Sequence, residues 1–453
     1  MSSSTATAPR TRSPNACRPR SGPSSWGAAR GSHRWKSSTP DAEHWFAVEA
    51  ASGSGGSVGS VWSQLVGQEP AVEVLSAAAN AATKIVDGEP VPAGAMTHAW
   101  LLTGPPGSGR SVAARTFAAA LECTLGMGCG ECTGCRTALH GTHADVRLIV
   151  PEGLSISVGE MRALVQMAAR RPTSGRWQVV IIEDADRLTE GASNALLKAV
   201  EEPPDRTVFL LCAPSDHPED VSVTIRSRCR LVNLRTPPPE AIAQVLVERD
   251  GVEPELAQWS ASVCGGHVGR ARRLATDEQS RKRRETVLRI PLGLRRPADV
   301  FACADELIAA AEGDASEESK ARDESEKTEL RNAMGGDATG KGVGGAKRAA
   351  EAAVRALEKR QKSRATRTQR DTLDLALVDL AAFYRDVLVT ASGAKAVLAH
   401  PDHAADAVEA ARSWTPESTL GRLEAVLACR EAILWNVKPR IAVEAMVTAL
   451  RHG

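Results

Sequence analysis

The most informative stretch of the chain is Gly104-Pro105-Pro106-Gly107-Ser108-Gly109-Arg110-Ser111. It follows an apolar run at 99–102 and precedes an alanine-rich stretch at 112–121, so the pattern predicts a strand, a glycine-rich loop and a helix. Such a loop binds phosphate through backbone N–H groups at the helix N-terminus, because glycines let the phosphate approach closely. The predicted phosphate-binding residues are Gly104, Gly107, Ser108, Gly109, Arg110 and Ser111.

Arg110 stands where a phosphate-binding loop usually has lysine. A planar guanidinium does not substitute directly for a compact ammonium group that reaches between phosphates. Two interpretations therefore stay open at this point. The stretch is either a loop that binds ATP and Mg²⁺, or a glycine- and proline-rich turn that only connects a strand to a helix.

The composition sets outer limits on the architecture. A chain of 453 residues is long enough for two or three domains, each with its own core. A net charge of +1 provides no global field for nucleic acid, so any contact with DNA has to come from local patches. The sequence contains no run of 18 apolar residues, and we therefore expect no membrane partner.

The N-terminal residues 1–58 are rich in Ser, Arg, Pro and Gly and contain no acidic residue before Asp41. No helical or strand period is sustained there, which predicts a disordered tail. An organelle transit peptide would share the Arg- and Ser-rich composition, but the amphipathic face is missing. A start codon placed too early is the other alternative.

Strands and helices alternate between 59 and 237, where apolar strand patterns occur at 146–150, 179–182 and 208–212. This alternation predicts a parallel sheet with helices on both faces. After Pro237-Pro238-Pro239 only helical periods appear, which predicts a small helical domain at 238–295 and a larger one at 296–453.

A stretch at 311–370 interrupts the last domain and is successively acidic, glycine-rich and basic. This composition predicts a low-complexity insertion that is partly disordered. Its basic part is either a solvated surface or a contact for DNA.

Four of the ten cysteines lie within 13 residues. The spacing of Cys123, Cys129, Cys132 and Cys135 predicts a closed tetrahedral site for structural zinc, because a catalytic zinc would keep one position open to water. Free cysteines packed in a core are the alternative. The remaining cysteines are scattered singly, so a reducing cytoplasm is the expected location.

Two acids follow the apolar strand at 179–182, and the run resembles a Walker B strand. In such a strand one carboxylate faces Mg²⁺ and the other faces the attacking water. Here Glu183 precedes Asp184, the reverse of the usual order, so we expect poor general-base geometry. Two acids that merely cap a strand end are the alternative.

Several motifs, in their order along the chain, resemble bacterial clamp-loader subunits, the AAA+ proteins that open the sliding clamp for DNA polymerase III. The resemblance covers about 60–275 strongly and the C-terminal part more loosely, through Asn436-Val437-Lys438-Pro439-Arg440. The motifs are Val66-Gly67-Gln68-Glu69, the GPPGSGRS loop, the cysteine cluster, Asn194-Ala195-Leu196-Leu197-Lys198, Glu201-Glu202-Pro203-Pro204 and Ser227-Arg228-Cys229.

Within this family the chain is more similar to delta-prime subunits than to gamma/tau motor subunits. Motor subunits normally keep the loop lysine, the Asp-Glu order and a polar Thr or Asn after the fourth strand. This chain has Arg110, the reversed acids, and Ala213-Pro214-Ser215 at the third place. The resemblance implies an α/β AAA+ P-loop domain, a small helical lid domain and a C-terminal all-α collar domain.

The resemblance also implies roles for individual residues. Arg228 would act as a trans arginine finger on a neighbouring subunit's ATP. Arg270 would bind nucleotide, and Glu183 with Asp184 would form a degraded Walker B site. The chain would belong to the DNA polymerase holoenzyme, with little or no ATPase of its own and no polymerase active site.

The implied partners are gamma/tau and delta subunits, the sliding clamp and primed DNA. A gamma/tau-type motor that hydrolyses ATP is the alternative. A zinc-dependent nucleic-acid binder is a third possibility, but only 3% of the residues are aromatic, which argues against a base-stacking platform.

Overall fold

The computed structural model describes residues 60–151, 153–173, 175–333 and 344–452. The predicted N-terminal tail at 1–58 lies outside the described residues. Within the described part of the chain, no helix is both long enough and apolar enough to cross a bilayer.

The N-terminal half of the described chain contains a five-stranded parallel sheet with the strand order β2-β3-β4-β1-β5. Its parallel pairing and flanking helices confirm the predicted α/β fold class. Sequence patterning did not predict the edge strand β5. The strands are β1 (Ala99–Thr103), β2 (Val146–Ile149), β3 (Gln178–Ile182), β4 (Thr207–Ala213) and β5 (Arg230–Asn233).

Helices cover both faces of this sheet. Side chains alternate along β1, so Trp100 packs into one hydrophobic core and Leu101 into the other. Burial on both faces explains why the central strands are continuously apolar. The helices of this part are α1 (Glu69–Asp87), α2 (Arg110–Leu121), α3 (Thr133–Leu139), α4 (Val158–Ala168), α5 (Glu190–Glu201) and α6 (Val223–Arg226).

Two further cores are entirely helical. The smaller contains Ile242, Leu246 and Ala271, and the larger contains Leu288 and Leu377. The first is built by α7 (Pro239–Glu248), α8 (Pro254–Val263) and α9 (Val268–Thr276). The second is built by α10 (Glu278–Gly293), α11 (Asp299–Ala333), α12 (Gly344–Ala391), α13 (Ala404–Ser413), α14 (Pro416–Leu434) and α15 (Pro439–His452).

The placement of α10 differs from the predicted boundary at 295. Its apolar residues Val287, Leu288 and Ile290 belong to the larger core, so the smaller core ends with α9. The division into lid and collar domains remains our proposal for this chain.

Part of the predicted insertion at 311–370 is helical. Its described residues continue α11 and α12 as an antiparallel helical pair, and the predicted partial disorder stays a prediction. Polar contacts connect the two helices: Arg364 Nη2 lies 2.8 Å from Glu326 Oε2, and Gln361 Nε2 donates a hydrogen bond to the Asp323 carbonyl at 2.9 Å. Because these contacts are polar, hydrophobic patterning could not reveal them. Residues 334–343 lie outside the described part.

Candidate nucleotide and metal sites

The glycine-rich loop lies between β1 and α2, as predicted. Gly107 has φ +85° and Gly109, which caps α2, has φ +93°, conformations that side chains with a Cβ rarely adopt. The loop contacts the start of α9, where His267 packs directly against Gly107. The predicted phosphate-binding loop therefore lies under the first turn of a helix from the smaller helical core.

Gln68, in the turn before α1, connects this loop to the chain that follows β5. Its Nε2 donates hydrogen bonds to the carbonyls of Ser108, at 3.1 Å, and Arg235, at 2.6 Å. The Arg235 N–H donates to Gln68 Oε1 at 3.0 Å. The buried side-chain amide of Gln68 therefore holds the glycine-rich loop in position through these hydrogen bonds.

Two polar atoms of the loop region are buried and have no hydrogen-bond partner among the described residues: Ser108 Oγ and Arg110 Nη1. Buried donors without partners are rare in proteins and indicate a group that a ligand or water satisfies. Together with the start of α2, these donors fit an anion such as phosphate. Arg110 thus retains a donor at the loop although the usual lysine is absent.

The two acids after β3 are both paired with arginines. Glu183 accepts a hydrogen bond from Arg115 Nη2 at 2.9 Å, and Asp184 forms an ion pair with Arg367 of α12. Arg187 Nε also lies 3.9 Å from Asp184 Oδ2. A Mg²⁺ ion at these carboxylates would have to displace an arginine, so the acids fit Mg²⁺ poorly as they stand.

Asp186, two residues beyond this pair, is a half-buried acid that the sequence did not predict. Burial raises the pKa of its carboxyl group, and the negative charge of Asp184 raises it further. Its Oδ1 has no hydrogen-bond partner in the described chain. The Arg110 charge partly opposes this rise, which places the guanidinium near the acids that follow β3.

The other two predicted arginines lie elsewhere. Arg228 follows α6, donates to the Thr224 carbonyl at 2.9 Å, and lies 2.7 Å from Glu201 Oε1, with 36% of its side chain exposed. Arg270 of α9 forms an ion pair with Asp379 of α12, and only 11% and 6% of these side chains are exposed. The structure therefore brings Arg270 to the C-terminal helices, while Arg228 stays at the surface.

The four cysteines come together as the spacing predicted. The Sγ atoms of Cys123, Cys129, Cys132 and Cys135 all lie within 4.8 Å of one another. The sulfurs of Cys123 and Cys129 are 3.7 Å apart, close to the ~3.8 Å edge of a tetrahedron with Zn–S bonds of ~2.3 Å. The cluster has the four ligands of a closed tetrahedral metal site, and its sulfurs lie close enough to share one ion.

Backbone N–H groups surround these sulfurs. The N–H of Cys129 donates to Cys123 Sγ and that of Cys135 donates to Cys132 Sγ, each at 3.4 Å. Burial acts to raise the pKa of Cys132, but hydrogen bonds from the N–H groups of Cys135 and Thr124 outweigh it and lower the pKa to about 6. Such N–H···S bonds favour the thiolate, which is the form that binds metal.

The cysteine loop also contacts the beginning of the described chain. The Val61 N–H donates to the Gly128 carbonyl at 3.0 Å, Trp62 Nε1 donates to the Met127 carbonyl at 3.1 Å, and Thr83 Oγ1 donates to the Gly126 carbonyl at 3.2 Å. The metal site therefore connects α1 and the residues before it to the end of α2. Sequence analysis did not predict these contacts, because their partners are backbone carbonyls.

Together, the parallel sheet, the glycine-rich loop after β1 and the two acids after β3 have the arrangement of a P-loop domain. A family model described as "DNA polymerase III, delta subunit" matches residues 88–238. This match includes the loop, the cysteine cluster, the acids and Arg228.

Individual relatives show which subunits of DNA polymerase III the chain resembles. The delta' subunit of DNA polymerase III from Bacillus subtilis is 31% identical over 197 residues, which cover 43% of this chain and 59% of that protein. The Escherichia coli delta' subunit is 37% identical over 163 residues, 35% of this chain and 48% of that protein. The Mycobacterium tuberculosis gamma/tau subunit is 31% identical over 212 residues, 45% of this chain and 34% of that protein.

These matches confirm the resemblance that the motifs predicted: the P-loop part of the chain is similar to clamp-loader subunits of the delta-prime kind. The matched segments span between about a third and six tenths of the relatives' own length. The function of the whole chain is therefore given as a proposal.

Proposed function

We propose that the chain acts as a non-motor, delta-prime-type subunit of the DNA polymerase III clamp loader. The observation that carries this proposal is the pairing of Glu183 with Arg115 and of Asp184 with Arg367. A motor subunit needs one carboxylate for Mg²⁺ and one for the attacking water. With both acids paired to arginines and Arg110 at the lysine position, the chain contributes structure rather than hydrolysis.

Arg228 is the group through which the subunit would act on its neighbours. It lies on a turn at the surface, within the Ser227-Arg228-Cys229 motif, and its present partner Glu201 is itself 42% exposed in its side chain. An exposed ion pair of this kind contributes little stability, so the guanidinium can exchange partners at low cost. In the assembled loader, Arg228 would stabilise the charge on an ATP held by the adjacent subunit.

The proposed partners are the gamma/tau and delta subunits, the sliding clamp and primed DNA. The four-cysteine cluster would bind one structural zinc ion, while the loop would accept the phosphates of ATP only weakly. Arg270 would join the nucleotide site only if its ion pair with Asp379 opened.

A gamma/tau-type motor is the second candidate, because the Mycobacterium tuberculosis gamma/tau subunit matches 45% of the chain. The two candidates differ in one measurable property, which is ATP turnover by the purified chain. Steady phosphate release at the rate of an ordinary AAA+ motor would favour the motor assignment.

Reconstitution tests the proposal directly. The full chain would be mixed with the gamma/tau and delta subunits and the sliding clamp of the same organism, and then analysed by size-exclusion chromatography. We expect a stable complex whose clamp-loading activity on primed DNA depends on this chain. A loader that assembles and works equally well without the chain would refute the proposal.

A further inference from the structure

Helix α12 contacts the predicted nucleotide site at two separate points. Arg367 pairs with Asp184 at the carboxyl end of β3 and also donates a hydrogen bond to the Pro151 carbonyl after β2. Twelve residues further along α12, Asp379 pairs with Arg270 of α9. One helix therefore contacts both Asp184, the acid in the position expected to face the attacking water, and the arginine expected to bind nucleotide.

The first contact is a network of alternating charges. Asp184 and Arg187 come from the chain after β3, while Arg367 and Asp371 lie one turn apart on α12. Arg187 Nη2 lies 3.3 Å from Asp371 Oδ1, and Arg367 Nε lies 3.4 Å from Asp371 Oδ2. Networks of this kind are coupled more strongly than isolated surface pairs, because each charge has more than one partner.

The second contact is more deeply buried. Asp379 is 4% exposed, and its Oδ2 accepts the charged hydrogen bond from Arg270. A cavity of about 360 Å³ lies beside this pair, between α9, α10, α11 and α12. The contact between α9 and α12 therefore depends on charged groups rather than on continuous apolar packing.

We propose that α12 is an intramolecular latch. Arg367 occupies the carboxylate of Asp184, the acid in the position that faces the attacking water, and Asp379 holds Arg270 away from a nucleotide. The latch thereby fixes the carboxyl end of β3 and helix α9 against the C-terminal helices in the absence of ligand. This inference concerns the conformation of the isolated chain and does not depend on its assembly into a clamp loader.

Hydrogen exchange of backbone amides reports directly on whether the latch is closed. The Arg187 N–H donates to the Asp184 carbonyl at 2.9 Å, and the Ile156 N–H donates to the Arg187 carbonyl at 2.8 Å. Both bonds involve the segment after β3 that Arg367 and Asp371 contact, the first through its own amide and the second through its Arg187 carbonyl. Local opening of this segment exposes these amides to hydrogen exchange.

The experiment is hydrogen exchange measured by mass spectrometry on the full chain, comparing the wild type with Arg367→Ala. We expect exchange in peptides covering 184–188 to accelerate about three- to tenfold, in the range of coupling within a charged network. Arg370→Ala is the matched control, because Arg370 lies on the same helix but contacts Asn436 and the Ile433 carbonyl. It should leave exchange at 184–188 unchanged.

Asp371→Asn provides a second variant if Arg367→Ala fails to fold. Half of the Asp371 side chain is exposed, and its loss should accelerate exchange at 184–188 in the same direction but less. Equal rates in wild type and both variants, or equal acceleration in Arg370→Ala, would overturn the latch.

Saturating Mg–ATP added to the wild type gives an independent check. The latch is closed in the absence of ligand, so Mg–ATP that recruits Arg270 should open it, and exchange in the α12 peptides should accelerate. Unchanged exchange in these peptides at saturating Mg–ATP would overturn the proposal.

Discussion

A Cβ atom added to Gly107 would lie 2.5 Å from the Cβ of His267. The glycine-rich loop and the first turn of α9 are therefore in contact through atoms that cannot move away by a change of rotamer. Gly109, two residues along, has a similar φ, but a Cβ there would meet nothing within 4 Å. Substitutions at these two glycines therefore separate the cost of backbone strain from the cost of a steric contact with α9.

We expect Gly109→Ala to destabilise the protein by ~1 kcal/mol, the usual cost of a positive φ for a residue with a Cβ. Gly107→Ala should cost an additional ~1–3 kcal/mol, because the methyl group overlaps His267. Urea denaturation of both variants measures the difference. Equal free energies of unfolding would mean that α9 does not rest on the loop.

Gln68→Ala should remove the amide that connects the loop to the chain after β5. The Arg235 N–H and the carbonyls of Ser108 and Arg235 would lose their partner, at a buried position for Ser108 and at a partly buried one for Arg235. We expect a loss of ~2–3 kcal/mol in the free energy of unfolding, the cost of leaving buried polar groups unsatisfied.

Gln244→Ala is the matched control, because Gln244 is exposed and contacts only the next turn of its own helix through Glu248. It should change stability by less than ~0.5 kcal/mol. If both glutamine variants lost the same stability, the hydrogen bonds of Gln68 would not position the loop.

The purified chain should contain one zinc ion per molecule, because four thiolates within 4.8 Å complete a tetrahedron. Cys132→Ser should abolish tight binding and lower the melting temperature, since metal binding contributes directly to folding stability. Elemental analysis and thermal denaturation measure both effects. Cys229→Ser lies outside the cluster and should keep its zinc, and a wild-type chain purified gently without zinc would contradict the assignment.

Much of the sheet was predictable because it is apolar on both faces. β3 and β4 are fully buried, and an uninterrupted apolar run between turn signals identifies such strands. β5 was missed because its four residues, Arg230-Leu231-Val232-Asn233, contain only two apolar side chains between polar ones. Its identity depends on pairing with β1, which no local pattern contains.

The candidate sites also differ in how far the sequence could predict them. The cysteine cluster was predictable, because a metal site depends on a few residues close in sequence. The partners of the acids were not: Arg367 lies 183 residues from Asp184 in the chain. An ion pair between segments far apart in the chain leaves no periodic signal, and the charged composition of 311–370 did not reveal the helix that carries Arg364 and Arg367.

The isolated chain should release little or no phosphate from ATP. Arg110→Lys should strengthen nucleotide binding, because an ammonium group fits between phosphates, but it should not produce turnover. Glu183 would still be paired with Arg115, and Asp184 with Arg367. Calorimetry with ATP measures nucleotide binding, and a phosphate-release assay measures hydrolysis. Turnover by Arg110→Lys alone would indicate that Glu183 and Asp184 support hydrolysis although they are paired with arginines.

Arg228→Ala should leave the isolated subunit folded, because Arg228 is paired at the surface with the half-exposed Glu201. Assembly with the gamma/tau and delta subunits should also persist. The DNA- and clamp-stimulated ATPase of the assembled loader should fall, since removing a trans arginine costs about a thousandfold or more at the site that it serves. The total rate should fall less, because other sites keep their own arginines.

Arg226→Ala is the matched control for this measurement. Arg226 is two residues away, 47% of its side chain is exposed, and it lies 2.6 Å from Asp216, so its removal deletes a comparable surface charge and ion pair. The loader with Arg226→Ala should keep its stimulated ATPase. Equal ATPase in the wild type, Arg226→Ala and Arg228→Ala loaders would mean that Arg228 does not reach a neighbour's phosphate, and the subunit would then contribute to the loader through its structure alone.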